Sequence, residues 1–270
     1  MSDDLRSLSC VAFGVGFRLT ADSDCLLAKM LECAPFGTEV CRVGEERGLR
    51  FSLLSAAGGG HRVVAGEAVV AEGLELQSAV DELARELMVH VADHSPERVF
   101  VHAGVVGWGS RALVLPGASF AGKTTLVAAL VRAGASYYSD EYAAVDEGGR
   151  VHPYARALRI RREGEIAQRA VTVEELDGSA GSEPLAVSLV AFTEYAEGGA
   201  WSAEPVSAGM AVLEMLRHAI PVQRTPARVM ATLAKMMETA VAVRSVRGEA
   251  SEAAAALLSE VNARAGEAPR

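Results

Sequence analysis

Gly117-Ala118-Ser119-Phe120-Ala121-Gly122-Lys123-Thr124, with Thr125 next, meets the pattern G-x-x-x-x-G-K-[ST] in full. Each fixed position has a physical purpose. Glycines let backbone N–H groups turn inward and approach phosphate oxygens, and a following helix adds its positive N-terminal end. A lysine in the position of Lys123 reaches the outer phosphates, and a hydroxyl in the position of Thr124 ligates Mg²⁺. The pattern carries weight only between a strand and a helix. The flanks supply both: Arg111 to Pro116 is an apolar strand, and Lys123 to Ala133 has helical spacing with Gly134 placed to cap it. The alternative is an ordinary strand-to-helix turn, which would leave Lys123 at an apolar helix start with no purpose.

Working outward, a second strand precedes the loop at Arg98 to Gly104 and carries His102 among apolar neighbours. Taken alone, that histidine is better read as a core residue. After the helix, Ser136 to Val145 and Val151 to Arg161 alternate as strands around Gly148-Gly149. The first contains Ser139-Asp140-Glu141, a pair of acids that follows the phosphate loop closely enough to emerge beside it. A bound triphosphate needs metal ligands and, for transfer to an alcohol, a base. Asp140 is the expected base, with Glu141 or Asp140 on the metal; the competing reading is a solvated acidic turn. Arg159 and Arg161 alternate with Leu158 and Ile160, so one strand face is basic and suited to a phosphate or an acidic substrate, unless it is simply an exposed face. Arg224 and Arg228 flank a Thr225-Pro226 helix start and are candidates to neutralise charge on a transferred phosphoryl group.

The remainder of the chain reads as follows. Residues 1–95 form a smaller leading α+β unit, with strand-like pieces at Leu8 to Leu19, Leu49 to Ser55 and His61 to Val70 and a helix from Leu74 to about His94. Residues 96–270 form a P-loop α/β domain. It continues through an irregular acidic stretch and a buried-looking strand at Leu185 to Phe192, then turns mostly helical. Ser207 caps one helix, Thr225-Pro226 opens another through Thr239, a strand follows at Val241 to Val246, and a last helix runs from about Ser251 to Asn262.

Composition restricts the partners. Of 270 residues, 50% are hydrophobic and 23% charged, the balance of a folded globular protein. A net charge of -9 argues against a nucleic-acid surface, which needs clustered Lys and Arg. No apolar run approaches the ~20 residues of a membrane span. The start, Met-Ser-Asp-Asp-Leu-Arg, lacks the basic character of a secretory leader, so a cytoplasmic location is expected. Cys10, Cys25, Cys33 and Cys41 make no C-x-x-C pair and read as free thiols.

With these residues in line, the chain resembles the HPr kinase/phosphorylase family and the wider HPr-kinase-like group, which share a phosphoenolpyruvate-carboxykinase-like P-loop fold. The order carries the likeness: Val101-His102-Ala103-Gly104, then the phosphate loop, then Ser139-Asp140-Glu141. It covers about residues 96 to 245 and is specific only over the first fifty. The resemblance implies a mixed-sheet kinase domain, Asp140 as the base that deprotonates a serine hydroxyl, and His102 in the same site. Glu141 stands where the bacterial HPr kinases have Asp, and Pro221 to Arg228 matches their later arginine-bearing loop only loosely. Val151-His152-Pro153 and Leu158-Arg159-Ile160-Arg161 look more like the HPr-kinase-like proteins of peptide natural-product pathways.

These readings lead to one expectation: an ATP- and Mg²⁺-dependent kinase that passes the γ-phosphoryl to a hydroxyl, by resemblance a serine of a peptide, a protein or a small molecule. The alternatives are a P-loop NTPase and a nucleotide-binding regulator without catalysis. No N-K-x-D guanine signature is present, and Glu194 after Leu185 to Phe192 is a poor Walker-B acid. The acceptor's identity, ATP against GTP, and subunit number stay open.

Overall fold

A computed structural model describes residues 5–41, 48–56, 58–118, 121–161 and 168–265. The protein is a mixed α/β chain that divides into two compact units, Met1–Glu97 and Arg98–Arg270.

The first unit contains β1 (Arg6–Ala12), β2 (Val15–Ala21), α1 (Asp24–Glu32), β3 (Glu39–Val40), β4 (Leu49–Ser55), β5 (His61–Ala65), β6 (Ala68–Leu74) and α2 (Leu76–His94). Its strands form one sheet in the order β3-β1-β2-β4-β5-β6. The β2–β4 pair is parallel, because α1 and β3 intervene, and its other neighbours are antiparallel. Phe17, Leu19, Phe51 and Leu53 on the sheet pack with Met30 of α1 and Leu83 and Leu87 of α2, all buried. Two strand-like pieces expected from the sequence are hairpins. Leu8 to Leu19 folds back at Phe13-Gly14, both at positive φ, and His61 to Val70 folds back at Gly66. Helix α1, capped by the Ser23 hydroxyl, was not expected at all.

The second unit contains β7 (Val99–Trp108), β8 (Arg111–Pro116), α3 (Lys123–Arg132), β9 (Ser136–Ser139), β10 (Tyr142–Val145), β11 (Arg150–His152), β12 (Leu158–Arg161), β13 (Gln168–Val171), β14 (Leu185–Tyr195), β15 (Glu204–Val206), α4 (Ala208–Leu216), α5 (Pro226–Met237), β16 (Val241–Arg247) and α6 (Ala250–Ala265). Its main sheet is mixed and runs β11-β10-β7-β8-β14-β16-β15, with β9 on β7. Strand β11 also pairs with β14, so the hydrogen bonding through β7, β8, β14, β11 and β10 closes on itself.

Helices cover both faces. Leu126, Val127, Leu130 and Val131 of α3 pack with Leu257, Leu258 and Val261 of α6 on one side. Val212 and Met215 of α4 and Val229, Leu233 and Met236 of α5 fill the other. Because β8, β14 and β16 are mutually parallel, their C-terminal ends share one edge of the sheet. The glycine loop leaves β8 at that edge. Among the described residues no helix is long and apolar enough to cross a membrane.

Candidate functional site

The glycine loop leaves the end of β8 at Pro116 and enters α3 at Lys123. Ser119 and Phe120 lie outside the described residues. Strand β7 anchors the loop, since the N–H of Gly117 donates to the His102 carbonyl at 3.2 Å. Gly122 holds the N-cap position of α3 at φ +77°, a left-handed conformation that a side chain strains. A Cβ there would also stand 2.5 Å from the Arg247 guanidinium. Gly104 serves packing instead. A Cβ on it would meet Val127 at 2.6 Å, so its absence lets α3 lie close against β7.

The Lys123 ammonium donates to the carbonyls of Gly117 at 2.8 Å and Ala118 at 2.7 Å. Burial brings its proton affinity down to about 8, against the pull of Asp140 and Glu141. Its neighbour Thr124 donates its hydroxyl to one Asp140 carboxylate oxygen at 2.8 Å, and the Tyr137 phenol donates to the other at 2.8 Å. The carboxylate is therefore clamped between the first turn of α3 and strand β9.

The sequence expectation of one strand over Ser136 to Val145 is corrected here, and the correction is what exposes the acids. Strands β9 and β10 both pair with β7, but the ladder breaks between Ser139 and Tyr142. The buried Ser139 hydroxyl accepts from the N–H groups of Glu141, at 3.1 Å, and Tyr142, at 2.9 Å, and so shapes the turn. Asp140 and Glu141 sit at this break.

Burial raises the proton affinity of Asp140, partly offset by the bonds from Thr124 and Tyr137 and by Lys123. Glu141 is raised too, by burial first, with Arg156 opposing and Asp140 adding to it; Arg159 and Lys123 also oppose. The Arg156–Glu141 ion pair spans 4.0 Å. His102 is driven down to about 4 by burial and by the charges of Lys123 and His218, so its ring is neutral near pH 7. His218 is lowered as well, by burial and then by Lys123. The two histidines are tied through the backbone, since the His102 N–H donates to the His218 carbonyl at 2.8 Å.

The fold thus brings Lys123, Thr124, Asp140, Glu141 and His102 together, along with three residues that sequence reasoning did not single out: Tyr137, Arg156 and His218. Thr125 is exposed on the first turn of α3, and Gly117, Ala118, Ala121 and Gly122 form the described part of the loop. Arg159 is exposed on β12 yet acts on Glu141, while the Arg161 side chain lies outside the described residues. The expected strand Val151 to Arg161 is in fact two, β11 and β12, with Arg156 on the segment between. Arg224 and Arg228 lie on the turn before α5 and in its first turn, while Arg156 and Arg159 lower the proton affinity of Glu141. Tyr137 and Arg156 gave no signal beyond their nearness in sequence to Asp140, and His218 gave none.

The donor set also bears on a metal. A hydroxyl and a carboxylate side by side are hard oxygen ligands that suit Mg²⁺, which takes one or two protein groups and completes its shell with phosphate and water. Among the described residues no group of three or more His, Cys, Asp or Glu could hold a metal unaided. The site fits a metal that arrives with phosphate. In comparisons with known proteins, the chain matches no model of a protein family and no curated protein.

Proposed function

We propose that the second unit is an ATP- and Mg²⁺-dependent kinase that transfers the γ-phosphoryl to a hydroxyl, on a phosphoenolpyruvate-carboxykinase-like P-loop fold of the HPr-kinase-like kind. One observation carries this reading: the Asp140 carboxylate bridging Thr124 and Tyr137, beside Lys123, at the N-terminus of α3, whose preceding sequence meets the glycine-loop pattern. Loop N–H groups and the helix end cradle the phosphates, and Lys123 exchanges the Gly117 and Ala118 carbonyls for phosphate oxygens. Mg²⁺, held by Thr124 and Asp140, would neutralise charge on the β- and γ-phosphates.

In the transfer an acceptor oxygen forms a bond to the γ-phosphorus, the bond from that phosphorus to the β–γ bridging oxygen breaks, and the nucleoside diphosphate departs. The acceptor's proton passes to a carboxylate. Contact with the metal-binding hydroxyl favours Asp140 for the metal, which leaves Glu141, 45% exposed and beside Arg156, as the base. The opposite allocation, Asp140 as base with Glu141 on the metal, is the second reading and rests on the raised proton affinity of half-buried Asp140. His102 and His218, neutral near pH 7, border the lysine without adding charge, and the acceptor is a serine of a peptide or protein or a small alcohol.

The test compares two variants for Mg²⁺-dependent ATP binding and for transfer of γ-label to serine peptides or small alcohols. Glu141→Gln should keep Mg²⁺-dependent binding and lose transfer, while Asp140→Asn should lose both. Transfer lost in Asp140→Asn with Mg²⁺-dependent binding intact would reverse the allocation. Labelled phosphate released to water alone would replace the kinase by a triphosphate hydrolase, a reading that Glu194 keeps open because β14 runs on to Tyr195 and carries this acid beside the loop.

A further inference from the structure

A cleft of about 580 Å³ opens at the shared edge of the parallel strands. Ala121, Gly122 and Thr125 wall it on the loop side, Thr193, Glu194 and Tyr195 at the end of β14, and Arg247, Glu249 and Ala250 where β16 passes into α6. Its volume falls within the roughly 300–1,000 Å³ typical of small-molecule sites.

Resting on the kinase reading of the loop, we infer that this cleft is the nucleoside subsite and takes the base and ribose of a purine nucleoside triphosphate. Continuity is the first reason. Residues of the loop itself and of the first turn of α3 form one wall, so a ligand with its phosphates in the loop finds this cleft beside it. Stacking is the second. Tyr195 is 52% exposed, and the Arg247 guanidinium carbon stands 5.5 Å from its ring centroid, which gives a flat cationic and aromatic surface for a heterocycle.

Arg247 supplies the third reason. It is only 3% exposed, donates to the carbonyls of Ala121 at 3.4 Å and Gly122 at 3.2 Å, and its Nε has no partner among the described residues. Held this way at the wall of the cleft, the guanidinium is a fixed positive surface against which a heterocycle can stack. Its two bonds to the loop also make occupancy of the cleft felt at the phosphates. Glu194 and Glu249 add acceptors without donors, which matches the amino edge of a purine or ribose hydroxyls.

The experiment uses the full chain and two ligands, ATP and inorganic tripolyphosphate, each titrated by calorimetry with Mg²⁺. Wild type should bind both, ATP more tightly. Tyr195→Ala should weaken ATP by about 5- to 150-fold, the usual cost of a lost base-stacking surface, and leave tripolyphosphate unchanged. Tyr195→Phe should keep most of the ATP affinity. Equal wild-type affinity for the two ligands, or an ATP affinity unmoved by Tyr195→Ala, would overturn the subsite while leaving the phosphate loop in place. Failure of tripolyphosphate to bind wild type would instead strike the loop reading beneath it.

Discussion

Tyr137→Phe removes one oxygen and nothing else from the site. The ring is 1% exposed and stays packed in the core, while the Asp140 carboxylate loses the phenol that donates to it at 2.8 Å. A hydrogen bond to a charged group contributes about 1.5–3 kcal/mol, and one to a neutral group about 0.5–1.5 kcal/mol. The loss of stability should therefore depend on pH, and its sign follows from the carboxyl. Burial gives Asp140 a higher proton affinity in the folded than in the unfolded chain, so the favourable contribution of its neutral form is complete below the unfolded value of 3.8 and is lost as pH rises through the folded value. The phenol lowers that folded value; without it the value rises further and the loss deepens. The variant should be less stable than wild type by about 1.5–3 kcal/mol at pH 7, and by about half as much once Asp140 is protonated. Urea unfolding followed by tryptophan fluorescence reads the right unit, because both tryptophans, Trp108 and Trp201, lie in Arg98–Arg270. A stability difference that is the same at pH 7 and at about pH 3, below the unfolded value of 3.8 and so below the raised folded one, would refute the claim that Tyr137 stabilises an ionised Asp140.

Three further outcomes are expected. Because Lys123 titrates at about 8 and phosphate binding favours its charged form, ATP affinity should be flat below that pH and fall about tenfold per unit above it; calorimetry should find this limb absent in Lys123→Arg. Gly122→Ala should cost about 1–2 kcal/mol for its left-handed backbone, displace Arg247 and weaken ATP binding by at least tenfold, which thermal unfolding and titration would measure; a variant of unchanged stability contradicts the geometry. Leu257→Ala empties a fully buried position where α6 packs with α3 and should cost about 2–5 kcal/mol in urea unfolding, with no change in ATP affinity at temperatures where the fold persists.

What the sequence reveals of this site follows from distance along the chain. The strand, loop and helix from Arg111 to Arg132 are legible because their chemistry and periodicity are local, and Asp140-Glu141 because they come soon afterwards. The break that frees the two acids is not legible, since it depends on the Ser139 hydroxyl turning back onto two N–H groups within an apparently continuous alternating run. Arg247 lies 126 positions from Ala121 and reaches it only because β8, β14 and β16 align in parallel, a pairing that no local pattern encodes. The hairpin at Phe13-Gly14 is hidden by an apolar residue at the turn itself, so one long strand is the natural reading there. Arg159 is informative in another way. Its charge acts on the Glu141 carboxylate, which only the fold brings near.

The fate of the γ-phosphoryl tests the central claim most directly. In a single turnover with labelled ATP, Mg²⁺ and a pool of serine peptides and small alcohols, label should appear in an acceptor as a phosphate ester, exceed free phosphate, and vanish with Glu141→Gln or Asp140→Asn. Label found only in free phosphate, at a rate that neither substitution changes, would contradict it.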